Sequence, residues 1–231
     1  MPIRISALMS VYNGEAYLAP AIDSMLSELS ANDEVVVVDD GSTDGSAAIL
    51  SRYADRVRII TQDNRGMAAA LNRAMAEAAG DFIAFNDADD LWEPGRIGAM
   101  LAAFEADAEL QAVFGMALQF VSPELPAELQ SRFAPPSDLV ILPGATLACA
   151  LVRTNLMRRM GPLDETRRVT SVYSWMAQLK ADGTHTRSLD SLVLRRRLHE
   201  QNWSRTNRDE LKTDTLKSLR EHILRQRAGK S

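Results

Sequence analysis

DFIAFNDADDLW, residues 81–92, sets an apolar run, Asp81–Phe85, directly against three aspartates, Asp87, Asp89 and Asp90. Like charges this close repel, so dense carboxylates at a strand end cost stability unless a cation sits among them. A hard divalent ion is the usual answer. Mg²⁺ or Mn²⁺ takes oxygen ligands, binds through one or two carboxylates, and completes its shell with water and substrate phosphates. Taken alone, the same turn also suits a solvated acidic cap on the helix that follows.

The pattern occurs earlier too. Glu34–Val38 is a continuous β-branched run, as in a strand buried on both faces, and it ends at Asp39 and Asp40. Around these two strands the chain alternates. Ile3–Met9 reads as a strand. Tyr17–Leu29 is a helix by the spacing of Leu18, Ile22, Met25, Leu26 and Leu29. Asp44–Tyr53 is a helix with Thr43 or Asp44 as cap, Val57–Thr61 a strand, and Met67–Ala79 a helix closed by Gly80. Glu93 to Glu105 is a further helix, with Pro94 suited to its first turn. This β-α alternation predicts an α/β fold with a mostly parallel central sheet flanked by helices. Ligands in such sheets bind beyond the carboxyl ends of the strands, which is where both acidic pairs fall.

The second half is less regular. Ala112–Leu118 reads as a strand. Residues 122–144 hold five prolines and read as a loop with one helical turn; so long a loop is often functional. Ala145–Val152 is strand-like, Asn155–Met160 and Tyr173–Ala181 are helices, and Leu189–Leu198 is extended. From Asn207 a charged helical tail carries Leu211, Leu216, Leu219 and Ile223 on one stripe. The expected organisation is a ligand-binding subdomain over 1–110, a second subdomain over 111–205 and a C-terminal helical tail over 206–231.

Bulk properties narrow the function. With 231 residues, 46% hydrophobic and 25% charged, the chain has ample core for one large domain or two lobes. A net charge of −5 argues against a nucleic-acid partner. The one cysteine, Cys149, lies in an apolar run and reads as a buried, inert thiol. The first residues read as a strand, not an export signal, and no apolar run is long enough to span a bilayer, so a cytoplasmic location is the expectation.

Several segments together resemble a family. SALMSVYNGEAYL, VVVVDDGSTDGS, DNRGMAAALNRAMAEAAGDFIAFNDADD and, later, MGPLDE and RLHEQNWS occur in the order found in inverting family 2 glycosyltransferases, enzymes of the GT-A fold. The similarity is dense over 4–100 and patchier over 145–205. It implies a Rossmann-like sheet, a smaller acceptor-side region, and a nucleotide-diphospho-sugar donor, usually a UDP-sugar. It places the loop containing Val11, Tyr12, Asn13 and Glu15 against the base, and an aspartate of the Asp39–Asp40 pair on the uracil N–H. An ionised carboxylate is acceptor-only, so that pairing is chemically sound. Asp87 and Asp89 form the DXD motif: Asp87 matches the residue near the ribose and Asp89 the one that holds Mn²⁺ or Mg²⁺. Gly66 and Asn72 match positions near the donor. His199 matches a histidine that completes the metal shell or contacts the diphosphate, with Arg197 beside it; Arg195 and Arg196 also read as a plain solvated charge run. No GxxxxGK phosphate loop competes, and the N-terminal loop lacks the glycine-rich, lysine-bearing signature of a nucleotidyltransferase.

One part of the pattern is missing. The family's general base sits in an acidic motif after the GPLDE-like segment, and here that place holds Ser171 and Val172, with Ser174 and Gln178 at further usual positions. Serine is not a base near neutral pH and valine has no proton chemistry. Asp164 and Glu165 are the nearest carboxylates, though both also suit helix capping. The resemblance therefore implies a metal-dependent transferase acting on an unknown acceptor (small molecule, glycan, peptide or phosphate). An acceptor that is already anionic, a thiol or a phosphate, would need little base help. The alternative is a donor-binding protein without turnover, serving as a regulatory or scaffolding subunit.

Overall fold

The computed structural model describes residues 4–135, 140–141, 146–167, 171–200 and 202. The first half forms β1 (Ile5–Val11), α1 (Leu18–Glu28), β2 (Glu34–Asp39), α2 (Ser46–Ser51), β3 (Arg58–Thr61), α3 (Met67–Glu77), β4 (Phe82–Asp87), the two-residue β5 (Leu91–Trp92) and α4 (Arg96–Ala106). The second half forms β6 (Ala112–Val121), α5 (Ala127–Phe133), β7 (Val140–Ile141), β8 (Ala150–Arg153), α6 (Thr154–Met160), α7 (Ser171–Ala181) and β9 (Thr186–Leu198). The nine strands make one sheet in the order β3-β2-β1-β4-β8-β6-β9-β5, with β7 on the side of β6. Strands β3, β2, β1 and β4 run parallel. The antiparallel strand β8 then joins β4 to β6, and β9 pairs parallel with β6. The architecture is a mixed α/β sheet with a parallel first half, as the resemblance implied.

Period-2 alternation explains how the central strands bury both faces. Val35 and Val37 pack with Leu18, Ile22 and Met25 of α1, and Val36 and Val38 pack with Ala70, Leu71 and Ala74 of α3. Each valine so buried contributes about 1.5–3 kcal/mol relative to exposure. The all-alanine run Ala68–Ala70 lets α3 lie close on the sheet; Ala69 and Ala70 are both buried.

The structure corrects several element readings. The loop expected over 122–144 contains α5, two turns instead of one, and β7; residues 136–139 and 142–145 lie outside the described residues. Leu147–Cys149 is a 3-10 turn, not strand: Thr146 Oγ1 accepts from Ala148 N, and extended backbone resumes only at Ala150. Pro94 precedes α4, which starts at Arg96 after Gly95 in the left-handed region. The helical tail expected from Asn207 lies outside the described residues.

A buried arginine ties the halves together. Arg96 is fully enclosed; its guanidinium donates to Ala150 O at 3.0 Å and Val193 O at 3.4 Å and lies 4.4 Å from the Trp92 ring centre. Desolvation lowers its pKa to about 10, still well above neutrality. Cys149 is buried nearby, and desolvation pushes its thiol up to about 12, consistent with the inert thiol expected.

Candidate active site

Both acidic turns sit at the carboxyl edge of the sheet with only β1 between them. Val11 pairs with Asp39 on one side, and Ser10 pairs with Asp87 on the other. Two strand spacings put the turns about 10 Å apart.

On the β2 side, the loop after β1 is laced to the loop after β2. Asn13 N donates to Ser42 Oγ, Gly14 N to Ser46 Oγ and Glu15 N to Asp44 Oδ2; Thr43 N donates to Asn13 Oδ1 at 2.7 Å and Gly45 N to Glu15 Oε2 at 2.9 Å. Asn13 adopts φ 53°, a left-handed conformation that asparagine tolerates. The side chains of Asn13 and Glu15 therefore build the rim. Val11 is buried and offers its carbonyl to Asp40 N at 2.8 Å. Tyr12 is the large apolar side chain the loop leaves open, with half its surface exposed at 52%.

The two aspartates of the pair have different surroundings. Asp40 accepts from Gln62 Nε2 and Arg65 N on Oδ1 and from Gly66 N on Oδ2, so it fastens the 62–66 loop. Asp39 accepts from Ser42 N on Oδ1, and its other oxygen has no hydrogen bond among the described residues. Gly41 between these strands is required as glycine: its φ is +78°, and a Cβ would stand 3.0 Å from Asn64 N and 3.2 Å from Gln62 O.

On the β4 side, one ligating oxygen from each of Asp87, Asp89 and Asp90 lies within 4.8 Å of the others. Asp90 turns inward: it is buried, Arg197 N donates to its Oδ1 at 2.8 Å, and Asn86 Nδ2 donates to its carbonyl at 3.1 Å. Asp87 keeps an open solvent face, yet desolvation by the protein packed around it, then the Asp89 charge, push its carboxyl up to about 6, against the pull of Arg196. Desolvation and the same neighbours raise Asp90 well above the usual carboxylate range. Crowded hard oxygens whose mutual repulsion resists ionisation fit a small divalent cation.

His199 reaches this cluster through Asp89 alone. Its Nε2 lies 2.9 Å from Asp89 Oδ2, an oxygen that also accepts from Asn202 Nδ2 at 3.1 Å. Asn202 Oδ1 accepts from His199 N at 2.7 Å and fixes the turn after β9. Arg197 differs from the diphosphate contact expected of it. Its guanidinium is almost fully buried, with Nε donating to Asp89 O at 3.0 Å and Nη1 to Ser122 Oγ at 3.2 Å, and it faces the rings of Tyr17 and Phe120. Burial and these partners make it an anchor of the DADD turn. Arg196 points to the other face of β9 and is half-buried.

Among the described residues, no free carboxylate stands where the resemblance places the base. Ser171 opens α7, is buried, and its Oγ has no hydrogen-bond partner among the described residues; Val172 beside it is half-buried. Asp164 accepts from Thr166 and Arg167, and those hydrogen bonds lower its pKa. Glu165 accepts from Arg65 Nη2 and Asn72 Nδ2, both at 3.0 Å. Asn72, expected near the donor, clamps the 163–165 segment, donating to Leu163 O and accepting from Leu163 N. Trp175 is core, whereas Trp203 lies outside the described residues. Sequence reading passed over Tyr17, Phe120, Ser122 and Asn202. Tyr17, within SALMSVYNGEAYL, and Asn202, within RLHEQNWS, lie inside segments that carry the resemblance.

Comparison with known proteins bears on the family and the fold. An uncharacterized glycosyltransferase of Rickettsia typhi is 26% identical over 225 residues, spanning 90% of this chain and 68% of its own. The putative glycosyltransferase EpsE of Bacillus subtilis is 39% identical over 115 residues, 48% of this chain and 41% of its own. The chain thus spans less than half the length of EpsE, and 33% of an uncharacterized glycosyltransferase of Nostoc that it also matches. Among solved structures, S. aureus TarS 1–349 in complex with UDP-GlcNAc superposes with a TM-score of 0.66 at 21% identity, over 87% of this chain and 60% of that one. The mannosyltransferase PcManGT from Pyrobaculum calidifontis, in complex with GDP-Man and Mn²⁺, gives 0.70 at 18% identity, over 96% and 65%. These two likenesses bear on the fold. The sequence profile of Glycosyl transferase family 2 matches residues 6–160, well over half the chain, and the protein belongs to that family.

Proposed function

We propose that the protein transfers a sugar from a nucleotide-diphospho-sugar, in the first instance a UDP-sugar, to an acceptor, with inversion at the anomeric carbon. The carrying observation is the Asp87–Asp89–Asp90 cluster two strands from Asp39, with His199 bonded to Asp89. The free oxygen of Asp39 takes the base N–H, and Tyr12 offers an open ring to the base. Asp87 and Asp89 would hold Mn²⁺ or Mg²⁺, which when bound offsets charge on the departing diphosphate. His199 and Asn202 keep Asp89 aimed at that position. Arg196, whose charge already opposes the rise of the Asp87 and Asp90 pKa values, is the cation we assign to the diphosphate. UDP release from UDP-sugars with Mn²⁺, against the same mixture with EDTA, tests this reading. Release that is equal in both arms overturns it.

A second reading is favoured by the acceptor side. Ser171 and Val172 stand where a base is expected, and Asp164 and Glu165 are committed to holding their own loop. Either the acceptor arrives with an anionic nucleophile, or the chain binds donor without turnover. Offering thiol, phosphate and hydroxyl acceptors separately distinguishes these: transfer to thiol or phosphate alone fits the first, and donor binding with no transfer to any fits the second.

A further inference from the structure

Alternate residues of β9 and the turn after it, Arg195, Arg197 and His199, lie on one face and interleave with two aromatic rings. The Arg195 guanidinium lies 4.9 Å from the Phe120 ring centre, Arg197 lies 4.8 Å from that of Phe120 and 4.7 Å from that of Tyr17, and the Tyr17 and His199 ring centres are 4.4 Å apart at 47°. The ladder starts at a surface arginine and ends on the imidazole that bonds Asp89.

Tyr17 is the rung that meets the metal site. It is half-buried and belongs to neither apolar core cluster. Its ring lies against a cation and an imidazole, and its hydroxyl makes no hydrogen bond among the described residues. Its backbone is held independently: Tyr17 N donates to Gly14 O at 3.0 Å, and Gly14 N is fixed by Ser46 Oγ at 2.9 Å. The imidazole needs such a wall. Its Nδ1 is buried with no partner among the described residues, so Nε2 bonding to Asp89 is the one side-chain hydrogen bond it makes there. A carboxylate is acceptor-only, so Nε2 carries the proton of that bond.

We propose that Tyr17 is a positioning residue of the metal site: its ring, held between the Arg197 guanidinium and the His199 imidazole, sets where the imidazole meets Asp89. The metal part of this inference rests on the proposed function; the positioning of His199 does not. Groups that orient a ligating side chain typically change metal affinity 10–100-fold when removed. The ring does the work and the hydroxyl is dispensable, so phenylalanine substitutes and an aliphatic side chain does not.

The experiment compares the full chain with Tyr17→Phe and Tyr17→Leu. Without metal, nitrogen-edited NMR follows the His199 Nε2–H proton; separately, Mn²⁺ alone is titrated by water-proton relaxation, and thermal unfolding shows each variant to be folded. The wild type and Tyr17→Phe are expected to show a protected Nε2–H and equal Mn²⁺ affinity. Tyr17→Leu is expected to lose the protected proton and about tenfold in affinity. A folded Tyr17→Leu that keeps both overturns the proposal. Should the leucine variant not fold, Tyr17→Met, flexible and adaptable in volume, is read by the same two signals. If the proton behaves as expected but the wild type binds no Mn²⁺, the positioning role stands and the metal-dependent reading of the site falls.

Discussion

Asp89 Oδ2 lies 2.9 Å from His199 Nε2, a bond between residues 110 positions apart that joins the turn after β4 to the turn after β9. Through it the carboxylate turn is held by the second half of the chain as well as by its own strand. Asp89→Ala removes a cluster oxygen, takes the acceptor from His199 Nε2, and leaves Asn202 Nδ2 with the Arg197 carbonyl alone. Donor turnover should fall by about two to three orders of magnitude. Calorimetry with Mn²⁺ checks the cause: affinity retained in the variant would assign the loss to something other than the ion.

The Asp87 carboxyl, raised to about 6 from its ordinary 3.8 by desolvation and then by Asp89, gives a signed pH dependence. The folded protein holds this proton more tightly than the unfolded chain. Without metal, that contribution to stability is fully present below the ordinary value and is lost as pH rises through about 6. Mn²⁺ competes with the same proton, so its affinity should fall as pH drops below about 6. Unfolding in EDTA and Mn²⁺ titration across pH 5–7 (about the carboxyl's own range) should move in opposite directions, and Asp87→Asn should flatten both.

Restoring an acidic group at the start of α7 tests the empty base position. Val172 is half-buried and should accept aspartate, whereas Ser171 is buried and a carboxylate there should cost about 1–3 kcal/mol. If the natural acceptor is a neutral hydroxyl, Val172→Asp should raise transfer by about 10²–10⁴-fold. No gain with hydroxyl acceptors, alongside transfer to a thiol or phosphate by the wild type, would mean that the base is not wanted.

Arg96 predicts a stability effect remote from the chemistry. Arg96→Ala empties a fully buried site and frees the carbonyls of Ala150 and Val193, at a cost of about 3–5 kcal/mol. Arg96→Met fills most of the volume with no charge to desolvate and should cost less. Urea unfolding of the two variants should rank them in that order; the reverse would show that the charge itself holds the halves together.

The first half is legible because its signals are local. The β-branched run Glu34–Val38 and the aspartates that follow it carry strand, edge and site in a dozen residues. The second half depends on pairings that periodicity does not encode. Leu147–Cys149 is apolar throughout and reads as strand, but Thr146 caps it into a turn. Leu91–Trp92 is too short to announce a strand, and only its pairing with Leu194 and Arg195 makes it one. Within the site, sequence named the acidic residues but could not apportion them. Asp39 and Asp40 look alike until the 62–66 loop is seen to occupy one of them. Arg197 was chosen for its charge, yet Tyr17 and Phe120, distant in sequence, decide that its charge is enclosed.

The lacing of the 13–15 segment to the 42–46 segment bears on how quickly a nucleotide could be captured. A rim already set in shape asks an arriving molecule to surrender only its own freedom, so association is limited by encounter instead of by folding of the cleft. The same stiffness is selective: a larger ring cannot be accommodated by yielding of the laced backbone, and must be turned away or admitted past the exposed ring of Tyr12.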